Sequence, residues 1–126
     1  MRRLALLVPL FILLAACGNK PDAAWTTPPE VTVYTEPSEL KAGGEAAIKA
    51  KVTQGGEPVD DADEVLFEIW PEGADEFAHE EIEGTLEGEG VYAIRYSFPS
   101  SGTYYVVAHV TARTFHVMPK IELKVE

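Results

Sequence analysis

At 126 residues the chain is long enough for one hydrophobic core and too short for two domains of ordinary size. Its formal net charge of −11, from 21 acidic against 10 basic residues, repels phosphate backbones and anionic lipid surfaces; nucleic acid is excluded, and cations or basic surfaces are the natural partners. The single cysteine, Cys17, rules out an intrachain disulfide, so the fold is held by packing alone.

The first element is an export address. "MRRLALLVPLFILLAAC" joins Arg2 and Arg3 to an apolar run, Leu4 to Ala16, and a small-residue site ending in cysteine. The run is shorter than the ~20 residues a helix needs to cross a bilayer. Leu14-Ala15-Ala16-Cys17 resembles the lipobox of bacterial lipoproteins, in which the cysteine is lipidated and becomes the first mature residue. That resemblance implies a signal peptide over 1–16 and a chain held to the membrane by acyl chains on Cys17. An ordinary cleavage site followed by a free thiol is the plainer alternative. Loss of Arg2 and Arg3 takes the net charge from −11 to −13, so the lipid, and not the acidic body, supplies the attachment. Residues 17–30, the cysteine followed by "GNKPDAAWTTPPE", form a tether of small, polar and proline residues.

From Val31 the apolar residues recur with period two, and no segment sustains the helical period of 3.6. Strands are predicted over 31–36, 46–53, 64–70, 79–86, 91–98, 103–111 and 115–125, separated by turn-rich stretches such as "QGGEPVDDAD", "EGEG" and "PSSG". Seven short strands in residues 31–126 are the count of an all-β, seven-stranded immunoglobulin-like β-sandwich. In "SSGTYYVV" the Gly-x-Tyr step resembles the tyrosine corner of such sandwiches and marks Tyr104 as pointing inward. Alternation then sends Val106, Ala108 and Val110 to the core, and Tyr105, Val107, His109 and Thr111 outward. Beyond Pro119, which is predicted at an edge bend, Ile121, Leu123 and Val125 face in.

His109 and His116 flank the short connection between the last two strands. If Ala112 and Arg113 form its tip, the two histidines lie directly opposite, with Cβ atoms ~5 Å apart, and Met118 shares their face two residues on. Two imidazoles and a thioether suit copper, Cu(I) above all, better than calcium or magnesium. Zinc ordinarily recruits a thiolate or carboxylate in place of the thioether. Packing and surface roles are the commoner meaning of histidine and methionine near a hairpin end, and "Ala-Arg" lacks the Gly or Asn that tight hairpins favour.

The stretches "GGEPVDDADEV", "VLFEIW" and "GEGVYAIRYSFPSSGTYYVVAHVTARTFHVMP" resemble the YtkA-like family, which is related to the periplasmic part of FixH proteins, over most of residues 31–126. The resemblance implies an immunoglobulin-like domain on a bacterial lipoprotein or membrane-anchored protein that works in copper supply to respiratory oxidases. It assigns His109, His116 and Met118 as copper ligands through the "HV…H-x-MP" ending, with His79 of "EFAHEEIEG" as a further ligand. The expected function is therefore a copper carrier on the outer side of the cytoplasmic membrane. A metal-free interaction or scaffold module of the cell envelope is the rival.

An enzyme is not expected: Ser100 and Ser101 sit in a turn without a nucleophile elbow, and no carboxylate pair stands out from the acidic surface. The acidic cluster Asp60, Asp61, Asp63 and Glu64 lacks EF-hand spacing and reads as a solvated turn. Trp70, Tyr92, Tyr96, Phe67 and Phe98 fall at strand spacing and are assigned to packing.

Overall fold

The computed structural model describes residues 27–126. The segment 1–16 read as a signal peptide, Cys17 and the expected tether as far as Thr26 lie outside the described residues, so the lipidation reading rests on the sequence alone.

Ten strand segments follow one another: β1 (Glu30–Glu36), β2 (Glu45–Gln54), β3 (Glu57–Pro58), β4 (Glu64–Pro71), β5 (Glu80–Glu83), β6 (Thr85–Gly88), β7 (Val91–Ser97), β8 (Gly102–Ala112), β9 (Phe115–Val117) and β10 (Lys120–Val125). A single 3-10 turn, Glu76–Ala78, lies between β4 and β5 and is capped by Asp75, whose carboxylate accepts from the Phe77 amide at 3.1 Å. One sheet has the order β1-β2-β7-β6 with β3 against β2, and the other β10-β8-β4-β5 with β9 against β8. Among the described residues every pairing between these ten strands is antiparallel, and an isolated parallel bridge joins Leu40 to Val125 of β10. The architecture is a β-sandwich of two antiparallel sheets.

Alternation fills the space between the sheets. Ile48, Ala50 and Val52 of β2 meet Val65, Phe67 and Ile69 of β4 and Val106, Ala108 and Val110 of β8, all essentially without exposure. Tyr104 is buried as predicted, and its hydroxyl donates to the Ser100 carbonyl at 2.9 Å and accepts from the Ser100 amide at 3.3 Å. Of the aromatics assigned to packing, Phe67, Phe98 and Tyr92 lie in this core, and Tyr96 packs against it.

The strand predicted over 79–86 divides at Gly84, where the chain leaves one sheet for the other. Its first part, β5, pairs with β4, and its second, β6, with β7. A Cβ on Gly84 would stand 2.8 Å from Phe67 Cε2 and 3.3 Å from the Val65 carbonyl oxygen, so the crossing runs too close to the core for a side chain.

The strand predicted over 115–125 divides at Met118 and Pro119. Pro119 has no N–H to give to the ladder, yet its carbonyl accepts from the Ala108 amide at 3.1 Å. Val117 pairs with Val110 before the break and Lys120 with Val107 after it, so the register carries through and sets Met118 opposite His109.

Candidate metal-binding face

The hairpin between β8 and β9 turns on Arg113 and Thr114, one residue later than the tip predicted at Ala112 and Arg113. Both turn residues have positive φ, 49° and 73°, the signature of a type I′ turn. The cause is burial: Ala112 is 1% exposed, continues β8 and pairs with Phe115. The Arg113 guanidinium holds the strained turn in place, donating to Gln54 Oε1 at 2.7 Å and to Asp61 Oδ1 at 3.1 Å. The partner of His116 is accordingly Thr111, which corrects the direct pairing of His109 with His116.

The face itself is as alternation dictates. His109 and His116 are diagonal neighbours with ring centroids 6.0 Å apart and planes tilted by 39°. A metal–nitrogen bond of about 2 Å on each side leaves room for one ion between two rings at such a separation. His116 Nδ1 lies 2.8 Å from Thr111 Oγ1, which orients the ring and leaves Nε2 as its other donor nitrogen. Met118 is an exposed residue, at 56%.

His79 ends the 3-10 turn just ahead of β5, two strands away from His109. The ladder that pairs Glu68 with Glu81 and Ile69 with Glu80 continues to bring His79 against Trp70. The two rings stack with centroids 4.1 Å apart and planes 6° from parallel. Trp70 stacks also toward Tyr105, at 5.9 Å, and the Lys120 ammonium lies 4.6 Å above Tyr105 and 5.5 Å above Trp70. Trp70 is thus an outward-facing aromatic that fixes His79.

What joins the two ends of this face is Glu68, an outward residue of β4. Its Oε1 lies 2.8 Å from His109 Nε2, and its Oε2 lies 2.5 Å from His79 Nδ1. The hydrogen bonds from His79 and, next, His109 hold the Glu68 carboxyl below the usual carboxylate range, against the opposing effect of partial burial. His109 is therefore shared, touching Glu68 on one side and facing His116 on the other. Among the described residues no three of the His, Cys, Asp and Glu side chains are grouped closely enough to hold a metal ion. The four predicted ligands form an open row across the sheet, with His109 and His116 near each other and His79 joined to His109 through a carboxylate.

Sequence reasoning passed over Glu68. Its signal was alternation in "EVLFEIW", which places Glu68 and Trp70 on one face opposite Val65, Phe67 and Ile69. Nothing in that pattern distinguishes Glu68 from the other carboxylates of an acidic chain.

The fold and this face define a β-sandwich whose outer sheet surface carries a histidine row. The chain belongs to the YtkA-like family, whose profile matches residues 23–109. That match ends on His109, so His116 and Met118 lie just beyond it. Among solved structures, an engineered protein from the Northeast Structural Genomics Consortium superimposes with a TM-score of 0.59 at 20% identity over 79% of this chain, which spans only 20% of that protein. The soluble domain of PmoD from Methylocystis sp. (Rockwell) superimposes with a TM-score of 0.53 at 11% identity, covering 78% of this chain and 90% of that one. At these identities the likeness is one of fold. No curated protein matches the sequence.

Proposed function

We propose that the protein is a non-enzymatic copper carrier: an extracytoplasmic lipoprotein with an immunoglobulin-like sandwich, related to FixH, that is anchored through Cys17. It holds Cu(I) as cargo and delivers it to a membrane partner such as a respiratory oxidase. The observation that carries this reading is the pair His109 and His116, 6.0 Å apart on the open face of the β8–β9 hairpin, with Met118 in register opposite His109. Their chemistry suits the ion: imidazole is a borderline donor and thioether a soft one, a combination that favours Cu(I) over the hard cations an acidic surface attracts. Each imidazole is tied through one ring nitrogen, His109 to Glu68 and His116 to Thr111, which is how metal-binding histidines are usually oriented. Exposure of Met118 suits a site that must release its ion to a partner. Membership of the YtkA-like family supports the same reading.

Competition with a chromophoric Cu(I) chelator tests it. The purified protein is expected to retain one Cu(I), and the His109→Ala/His116→Ala/Met118→Leu triple variant to lose it. A folded wild-type protein that retains no copper, or a triple variant that retains it unchanged, returns these residues to packing. The metal-free docking module then becomes the better account.

A further inference from the structure

We propose that Glu68 is the positioning residue of the copper-binding face, one carboxylate that fixes the tautomers of both His79 and His109 and thereby selects which ring nitrogen of each keeps its lone pair free for a metal. The proposal rests on the carrier reading and extends it to a residue outside the predicted ligand set.

An ionised carboxylate only accepts hydrogen bonds, so each neutral imidazole that meets Glu68 must place its N–H on the nitrogen in contact. For His79 that nitrogen is Nδ1, and for His109 it is Nε2. The lone pairs are then left on His79 Nε2 and His109 Nδ1, and these are the nitrogens that can donate to an ion. Free histidine favours the proton on Nε2, so His79 is held in its less common form. Trp70 stacks flat on the His79 ring and sets its plane, and the cap hydrogen bond of the 3-10 turn, from the His79 amide to the Glu76 carbonyl, holds its backbone. Glu68 itself is three-quarters or more withdrawn from water, with 21% side-chain exposure, and both of its oxygens are occupied. A glutamine in its place offers one acceptor and one donor group, so it can satisfy only one of the two rings in this arrangement.

The test uses the full-length chain in detergent, labelled with nitrogen-15, at mildly alkaline pH. Long-range proton–nitrogen correlation spectra of the metal-free protein are expected to show His79 protonated at Nδ1 and His109 at Nε2. In Glu68→Gln at least one of these assignments reverses, and Cu(I) affinity falls by about 10- to 100-fold, the usual consequence of losing an orienting partner. Glu81→Gln is the control, since Glu81 is paired across from Glu68, is exposed and carries the same charge. It should leave both tautomers and the copper affinity nearly unchanged. Wild-type protein that binds Cu(I), with a Glu68→Gln variant that binds it as tightly, overturns this proposal alone. So does an equal loss in Glu81→Gln, which would make the effect one of net charge. Wild-type protein that binds no Cu(I) overturns the carrier reading and this proposal together.

Discussion

Thr111 Oγ1 and His116 Nδ1 lie 2.8 Å apart across the β8–β9 hairpin, and that contact exists because the turn falls on Arg113 and Thr114. A β-branched residue at a φ of 73° is costly, whereas glycine adopts that angle freely. Thr114→Gly is therefore expected to raise stability by about 0.5–1 kcal/mol, the relief of left-handed strain exceeding the added freedom of the unfolded chain. Urea denaturation checks it. A lowered midpoint would show that the turn is not held at positive φ.

Tyr104→Phe should destabilise the fold by about 0.5–1.5 kcal/mol, because the hydroxyl of the buried Tyr104 loses its hydrogen bonds to the carbonyl and amide of Ser100 at a part-buried corner. The ring keeps its edge-on contact with Phe98, at 5.0 Å, so the loss comes from the hydroxyl. Tyr104 lies on the opposite face of the sheet from the histidines, and copper retention should stay as in the wild type. An unchanged denaturation midpoint would count against the corner.

Glu68 also sets a pH dependence with a definite sign. Its folded carboxyl titrates below the ordinary 4.5, chiefly through the hydrogen bond from His79 and then that from His109. A depressed carboxyl contributes stability that is present above the unfolded value and is lost as pH falls through the folded one. The stability advantage of wild type over Glu68→Gln should therefore hold near neutrality and shrink below about pH 4.5. Denaturation midpoints of the two proteins across that range measure it, and a constant difference would show that the carboxyl is not held down in the folded state.

Much of this arrangement was legible because alternation is a local property. Once the Tyr104 corner set the phase of β8, the outward placement of His109 and Thr111 followed, and both hold in the structure. The register of the hairpin was less legible. It depends on whether Ala112 is buried in the core and on an Arg113 anchor to Gln54 and Asp61, residues more than fifty positions earlier, and no local turn signal encodes either. The crossing at Gly84 was hidden for a similar reason, since only the nearness of Phe67 and the Val65 carbonyl makes that glycine special. Glu68 was hidden by its company: it meets His109 across 41 positions of sequence, in a chain with 21 acidic residues.

If the protein is the lipoprotein proposed above, Cys17→Ala is expected to release it from membranes or to leave it unprocessed, because acyl chains on that residue would then supply the anchoring energy and the acidic body adds none. Fractionation of cells expressing the variant checks the point. Full recovery of a signal-cleaved Cys17→Ala protein with the membranes would count against lipidation.

Met118→Leu separates ligation from packing. Leucine keeps similar volume and removes only the sulfur, and a side chain already 56% exposed contributes little to the core, so stability should stay within about 1.5 kcal/mol of the wild type. Cu(I) affinity should fall, because thioether sulfur is the softest donor on this face, whereas binding of zinc, which draws little from a thioether, should change far less. His116→Ala should lower the affinity for both ions, since imidazole serves either. Parallel titrations of the two variants with Cu(I) and zinc therefore give different patterns from neighbouring positions on one face. If Met118→Leu weakens both ions alike, or neither, the sulfur takes no part in binding, and the row reduces to its imidazoles.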